Sequence, residues 1–88
     1  MKRHTENQEY VRGLATLCRG GTMSVPRLAG CLNEAGLLTR AGAPYQGLRG
    51  TYTLVGSTWK WLHAQGLDDE AENVAEVFVK PNGGHAWN

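Results

Sequence analysis

The sequence predicts a small, mainly α-helical fold of about four helices, with a short β-hairpin between the second and third helices. Three observations predict it. The chain has 88 residues, of which 41% are hydrophobic, so it holds one small domain rather than several. Apolar residues recur every three or four positions in four separate segments, which is the periodicity of amphipathic helices. Glycine, present 12 times, separates these segments, and glycine favours the left-handed backbone that commonly ends a helix.

The first two helices are predicted from their caps as well as from their apolar faces. Thr5 and Gln8 have the spacing of a capping box, so the first helix is expected to run from Thr5 to about Cys18. Ser24 is suited to cap the second helix. Pro26 then falls in its first turn, where a missing amide hydrogen costs little.

The second half of the chain begins with a segment that is poor in helix formers. Because a structureless loop of that length is uncommon in so small a domain, we expect residues 37–40 and 43–46 to form the two strands of the hairpin. The third helix is expected over residues 51–65. Asp68 or Asp69 is expected to cap the fourth helix, since acidic residues suit the positive end of a helix dipole.

Composition and hydropathy also set the domain organisation and the location. Residues 1–80 are expected to form the single domain and residues 81–88 a C-terminal tail. No apolar run approaches the roughly 18 residues that cross a bilayer, so no membrane partner is expected. The N-terminal residues are polar where a secretory signal would be apolar, so we expect a cytoplasmic protein.

The sequence offers little catalytic or metal-binding chemistry. We interpret Cys18 and Cys31 as free thiols on helix faces, with a disulfide as the less favoured alternative. A zinc site would have to add His63 and His85 to them, and no closely spaced pair of ligands exists. His4, like the other histidines, lacks a partner in any nucleophile arrangement. We therefore expect no catalytic residue, no metal and no cofactor, and we do not expect an enzyme.

The formal net charge of +1 conceals an uneven distribution. Residues 1–66 carry eight Lys or Arg against three acids, whereas residues 67–88 carry one Lys against five acids. A basic face on a helical domain is the electrostatic footprint of a nucleic-acid binder. The alternatives are that these are ordinary solvated charges, and that the acidic fourth helix docks on a basic partner.

Side chains suited to DNA contact are concentrated between Arg40 and Lys60. Ser, Thr and backbone amides position phosphates, Arg can read guanine, Gln can read adenine, and a helix fits the major groove. Thr53, Ser57 and Lys60 share the polar side of the third helix. The candidate DNA-binding residues are Arg40, Gln46, Arg49, Thr51, Thr53, Ser57 and Lys60.

Residues 23–62 carry a pattern of a capped helix, a loop with fixed Gly, Thr and aromatic positions, and a further helix. Its members are Ser24, Leu28, Ala29, Leu32, Asn33, Gly36, Thr39, Gly42 and Tyr45, followed by Val55 and Leu62. The pattern resembles the helix-turn-helix segment in the recombinase domain of large serine recombinases and related mobile-element proteins. The resemblance implies a DNA-binding module whose third helix is the recognition helix.

This chain departs from that pattern in two ways. The link before the third helix is longer than the ~3 to 4-residue turn of a tight helix-turn-helix, which favours a winged or otherwise modified form. The recombinase catalytic domain does not occur in this sequence, so neither Ser24 nor Ser57 inherits its nucleophile role.

These observations lead to a hypothesis and an alternative. The hypothesis is a small sequence-specific DNA-binding protein, either a bacterial or phage transcriptional regulator or a mobile-element accessory factor. One module makes limited contact, so we expect a homodimer on an inverted repeat in double-stranded DNA. The first helix, the fourth helix or the tail is expected to supply the dimer surface. The alternative is a phage-encoded inhibitor of the anti-CRISPR kind that binds a protein through the same scaffold.

Overall fold

The computed structural model describes residues 2–46 and 49–79, with the backbone alone for residues 2–5 and 49. Four helices and two short strands lie within these residues. The prediction of a mainly α domain with four helices is confirmed, whereas the predicted tail, residues 81–88, lies outside the described residues. In chain order the elements are α1 (Lys2–Leu17), β1 (Met23–Ser24), α2 (Val25–Glu34), α3 (Arg49–Ala64), α4 (Asp68–Val77) and β2 (Phe78–Val79).

The helix α3 lies at the centre of the fold, because α1, α2 and α4 all pack against it. Val55 and Leu62, the predicted anchors of this helix, are fully buried. Burying a side chain of this size contributes about 1.5–3 kcal/mol before the cost of ordering it. The core cluster consists of Val11, Ala15, Val25, Leu28, Ala29, Leu32, Tyr45, Leu54, Val55, Leu62, Ala71, Val74, Val77 and Phe78.

A two-stranded parallel sheet joins the start of α2 to the end of α4. In its register Met23 pairs with Phe78 and Ser24 pairs with Val79. The Phe78 side chain is fully buried in the core. The sequence did not predict this sheet, because a strand of two residues is too short to show an alternating pattern.

Local signals did predict how α2 begins and where α2 and α3 end. The Ser24 hydroxyl accepts a hydrogen bond from the amide of Arg27, and Pro26 lies in the first turn. Gly36 and Gly66, which follow α2 and α3, both have a φ of +78°. Glycine adopts this left-handed conformation without steric cost, so both helices end there.

The predicted capping box of α1 is wrong. The helix begins at Lys2, ahead of Thr5, so Thr5 is an interior residue rather than a cap. The Gln8 side chain lies instead against α3, with its Nε2 3.4 Å from both the carbonyl oxygen and the hydroxyl of Ser57. The Gln8 side chain therefore makes a tertiary contact instead of the local capping bond.

The predicted cap of α4 is wrong for a similar reason. Leu67 occupies the cap position and makes no capping hydrogen bond through its side chain, and Asp68 is already the first helical residue. The Asp68 carboxylate lies 2.6 Å from Nδ1 of His63, at the end of α3. The acid therefore bridges two helices instead of capping one.

The β-hairpin predicted between α2 and α3 does not form. Residues 37–40 and 43–46 contain no strand. The chain does reverse between them, in a turn where the amide of Gly42 donates to the carbonyl of Thr39 and the amide of Thr39 donates to the carbonyl of Ala43, both at 2.9 Å. A wing formed by this hairpin is therefore absent from residues 37–46.

Side chains from outside the loop explain why no hairpin forms. Asn33 accepts from the amide of Tyr45 at 2.7 Å and donates to its carbonyl at 2.8 Å. Asn7 donates to the carbonyl of Leu38 at 2.8 Å. Because these backbone groups already have partners, they are not available to a strand ladder. We call residues 35–46 the α2–α3 loop.

Two further expectations concern the cysteines and membranes. Cys18 and Cys31 are free thiols, and each is half-buried. Within the described part of the chain, no helix combines the length and the apolar character needed to cross a membrane.

An ion pair joins α1 to α4. Arg12 donates to the two carboxylate oxygens of Glu70, at 2.5 Å through Nε and at 3.0 Å through Nη2. The hydrogen bond from Arg12 holds the pKa of Glu70 below its ordinary value. Glu9 lies 3.5 Å from Nη1 of Arg12 and is the more exposed of the two acids.

The bonds between Asn33 and Tyr45 can be tested by substitution. We expect Asn33→Ala to lower the free energy of unfolding by about 1–3 kcal/mol, because two partly buried hydrogen bonds, each worth about 0.5–1.5 kcal/mol, are lost. Urea unfolding followed by circular dichroism measures the loss. Gln65→Ala, at an exposed position after α3, is the control and should change stability by less than about 0.5 kcal/mol. Equal effects of the two substitutions would contradict the role assigned to Asn33.

The ion pair between Arg12 and Glu70 predicts a pH dependence. Because the pKa of Glu70 is lowered in the folded protein, its charge stabilises the fold above the ordinary glutamate pKa of about 4.3. This contribution is lost as the pH falls through the lowered pKa. Since both side chains are one-third exposed, we expect Glu70→Gln to cost only about 0.5–1 kcal/mol at neutral pH.

Urea unfolding of both proteins as a function of pH measures this difference. The two curves should converge in acid, below the lowered pKa of Glu70, where the wild-type carboxyl is also neutral. Glu9→Gln, which removes the weaker partner of Arg12, is the matched control and should have a smaller effect. A difference between wild type and Glu70→Gln that did not change with pH would contradict the assignment.

Candidate nucleic-acid interface

One side of α3 faces the solvent. Thr53 and Lys60 are exposed and Ser57 is half-buried. Their spacing of four and three residues places them on one side of a helix, and we call these three residues the α3 stripe. Gly56 lies beside them, and a Cβ atom there would meet nothing within 4 Å. The structure thus brings together three of the seven predicted DNA contacts.

The opposite side of α3 is fixed in the core. Leu54, Val55 and Leu62 are buried there. Thr58 is buried as well, and its hydroxyl donates to the carbonyl of Leu54 at 2.7 Å, so its polar group is satisfied within the helix. Rotating α3 about its axis would expose these residues to water. The core therefore sets the direction in which the α3 stripe points.

Ser57 marks the edge of the stripe that is nearest to α1. Its hydroxyl donates to the carbonyl of Leu54 at 3.1 Å and lies 3.4 Å from Nε2 of Gln8. This hydroxyl is therefore engaged on its α1 side. Thr53 and Lys60 are the more exposed members of the stripe.

Thr51 does not belong to the exposed surface, which corrects its predicted role as a DNA contact. Its side chain is fully buried. Its hydroxyl donates to the backbone carbonyl of Gln46, in the α2–α3 loop. Thr51 therefore fastens the loop to the first turn of α3, while the Gln46 side chain remains exposed.

Arg40 and Arg49 belong to the segment that precedes the stripe. Arg40 is exposed in the turn of the α2–α3 loop. Arg49 is the first residue of α3, and its side chain lies outside what the structure describes. Neither Arg40 nor Lys60 forms an ion pair with another described residue. Both charges are thus available to an external anion.

The helices α3 and α4 differ sharply in charge. The sequence of α3 contains no Asp or Glu from Arg49 to Ala64. In contrast, α4 carries five acids, of which Glu70 is bound to Arg12. The helix α3 therefore presents no carboxylate that would repel an anion.

His63 has partners that the sequence analysis did not find. Its Nδ1 lies 2.6 Å from Asp68 and its Nε2 lies 3.4 Å from Glu72. Its ring packs edge to face against Trp59, with the ring centres 4.3 Å apart. Asp68 is too far along the chain to share a helix turn with His63, and the reversal at Gly66 brings them together. The sequence signal for the contact between His63 and Asp68 is a histidine shortly before the helix-ending Gly66 and acids shortly after it.

Metal chemistry has no support among the described residues. None of their His, Cys, Asp and Glu side chains form a group of three or more that could hold a metal ion. The zinc alternative also needed His85, which lies outside the described residues.

Comparison with known proteins found no similar protein. No protein-family model, no curated protein and no solved structure matches this chain. The likeness of residues 23–62 to the recombinase segment therefore depends on the residues quoted for it.

The structural role of Thr51 gives a matched pair of substitutions. We expect Thr51→Val to lower the free energy of unfolding by about 1 kcal/mol, because the bond between the loop and α3 is lost at nearly constant volume. Thr58→Val is the control, since the carbonyl that accepts from Thr58 lies one turn earlier in the same helix. It should cost less than Thr51→Val, because a Thr hydroxyl that bonds the carbonyl four residues earlier does not stabilise its helix. Thermal unfolding measures both, and a larger loss in Thr58→Val would refute the assignment.

Proposed function

We propose that this chain is a small sequence-specific DNA-binding protein that acts in the cytoplasm. Its biological role in this proposal is that of a bacterial or phage transcriptional regulator, or of a mobile-element accessory factor. The observation that supports this most directly is the α3 stripe, which presents two hydroxyls and an ammonium group on a helix without a carboxylate. The resemblance of residues 23–62 to a DNA-binding segment supports the same helix.

In the proposed mechanism α3 enters the major groove of double-stranded DNA. Thr53 and Ser57 donate to base edges or phosphates, and Lys60 neutralises a phosphate or reads guanine. Gly56 allows the helix backbone to approach the groove closely, because no side chain projects from it. Ser57 has to share its hydroxyl between DNA and the contact to Gln8.

The α2–α3 loop contributes from beside the groove. Arg40 is exposed at its turn, and Gln46 is exposed a few residues before α3. Arg49 begins α3, where the backbone amides of the first turn also favour phosphate. These residues contact the backbone next to the base pairs that the α3 stripe reads.

The number of contacts limits what one copy can do. A single module of this size buries about 600–1,000 Å² of protein surface on DNA. Specific affinity commonly comes from a symmetric dimer on two half-sites. We therefore propose a homodimer on an inverted repeat.

One observation favours the second candidate function, a protein-binding inhibitor of the anti-CRISPR kind. Asp69, Glu72 and Glu76 are exposed on α4 and lie on one side of that helix. This acidic side would suit a basic protein surface. Glu76→Lys would then abolish binding to a co-purified partner, whereas it would leave DNA binding by α3 in place.

Selection from random double-stranded DNA fragments, followed by binding measurements across salt concentrations, tests the DNA-binding proposal. Wild type should enrich one sequence family. Lys60→Gln should weaken binding and reduce the slope of log K against log salt by about 0.9 per protomer, since one phosphate contact is lost. Arg19→Gln removes an exposed cation outside α3 and the α2–α3 loop, so it is the charge-matched control and should leave the slope unchanged.

Two outcomes would contradict the proposal. One is a selection that enriches no sequence. The other is equal weakening by Lys60→Gln and Arg19→Gln, which would indicate attraction by net charge rather than contact through α3.

A further inference from the structure

The exposed side of α2 is self-complementary in charge. Arg27, Gly30 and Glu34 are exposed, and Cys31 is half-buried beside them. The apolar residues of α2 lie on the other side, in the core. We call these four residues the α2 face.

The two charges on this face are opposite in sign and unpaired within the described structure. Arg27 and Glu34 form no ion pair with another described residue. They are two helical turns apart, about 10.5 Å along the axis, so they do not reach each other without bending both side chains across the face. Each charge is therefore without a counter-charge in the described structure. A partner molecule can supply it.

A second copy of α2 in antiparallel orientation supplies both counter-charges at once. With a two-fold axis between Gly30 and Cys31, Arg27 of one copy lies opposite Glu34 of the other, and the reverse pair forms by symmetry. This reciprocity is what an isologous dimer interface requires. The sequence positions of the two charges are equidistant from that axis.

The centre of the face permits close approach. Gly30 has no side chain, and a Cβ atom there would meet nothing within 4 Å. Cys31 is small and half-buried. Two helices crossing at these residues can come near enough for the flanking charges to meet.

Apolar side chains of α1 adjoin the α2 face. The Tyr10 hydroxyl donates to the carbonyl of Cys31 at 3.3 Å, which joins the two helices. Leu14 and Leu17 follow Tyr10 on the same side of α1, and Leu17 is 83% exposed. Stable interfaces bury about 1,200–2,000 Å² in total, and this side of α1 adds apolar area to the α2 face.

We propose that the α2 face and the adjoining side of α1 form the surface through which a second copy of this chain binds, with α2 antiparallel to α2. The expectation of a dimer rests on the proposed function, and the inference deepens it by naming the surface. Leu17 is nine residues from Gln8, which puts it on the opposite side of α1 from the contact with Ser57 on α3. Dimerisation here thus leaves the α3 stripe accessible.

Charge reversal tests the surface in the absence of DNA, with sedimentation equilibrium of the full chain as the readout. Wild type should be a dimer. Arg27→Glu and Glu34→Arg should each weaken dimerisation about tenfold or more, because two attractive pairs become repulsive. The double variant Arg27→Glu/Glu34→Arg should restore the dimer, because both pairs form again with the signs exchanged.

Cross-linking with a short bis-maleimide provides a second measurement on the same samples. Cys31 lies next to the proposed axis, so wild type and Cys18→Ser should give a cross-linked dimer. Cys31→Ser is the matched variant and should give none. The cross-link through Cys31 should also be lost in Arg27→Glu and return in the double variant.

Three results would overturn the surface: a monomeric wild type, a dimer that both single charge reversals leave intact, or a cross-link that requires Cys18. The DNA-binding proposal fails separately. A protein that dimerises as expected and selects no DNA sequence would keep this surface and refute the proposed function. A protein that selects DNA as a monomer, or through a dimer insensitive to Arg27→Glu, would refute this surface and keep the DNA-binding proposal.

Discussion

Tyr45 joins the α2–α3 loop to the first and second helices. Its backbone exchanges two hydrogen bonds with Asn33 at the end of α2, and its hydroxyl accepts from Asn7 of α1 at 2.5 Å. Its side chain is only 6% exposed, and this burial raises the pKa of its hydroxyl above the ordinary tyrosine value. These bonds hold the α2–α3 loop in place at Tyr45. The Tyr45 side chain also belongs to the core cluster that sets the direction of the α3 stripe.

Several residues of the recombinase-like pattern take part in the bonds of the α2–α3 loop. Asn33 and Tyr45 hold each other, the Thr39 hydroxyl accepts from the amide of Ala43 at 3.2 Å, and Gly42 has a φ of +81°. Each of these residues shapes the loop, and none belongs to the α3 stripe. Four residues of the pattern therefore hold the loop in place, whereas the proposed DNA contacts of the α3 stripe lie outside the pattern.

The sequence predicted features whose cause is local and missed those whose cause is tertiary. Ser24 caps α2 because the residues that it needs follow within one turn. Gln8 and Asp68 had equally good local patterns, but partners on α3 hold both side chains. No local pattern indicated that Asn33 bonds the backbone of Tyr45. A hairpin was therefore expected where side chains hold an irregular loop in place.

The candidate interface follows the same rule. The spacing of Thr53, Ser57 and Lys60 along one helix was enough to place them together, because helical geometry alone decides it. Thr51 was wrongly included, because its burial comes from its position on the core side of α3 and from its bond to the loop. Its polar character gave no indication of this, since a buried hydroxyl with a backbone partner is as well satisfied as an exposed one.

Charge segregation constrains how a nucleic acid can approach this molecule. The bond between Arg12 and Glu70 and the contacts of His63 with Asp68 and Glu72 hold the acidic helix against α1 and α3. The acids of α4 therefore remain close to α3 instead of moving away as a separate segment. If the proposed function holds, these acids repel phosphate from the α4 side and lower non-specific affinity, so DNA approaches the α3 stripe and the α2–α3 loop. Under the proposed function the acidic helix thus restricts orientation at a cost in affinity for each copy. A second copy that binds through a surface away from the α3 stripe would restore the affinity for DNA. It would also leave the direction of approach unchanged.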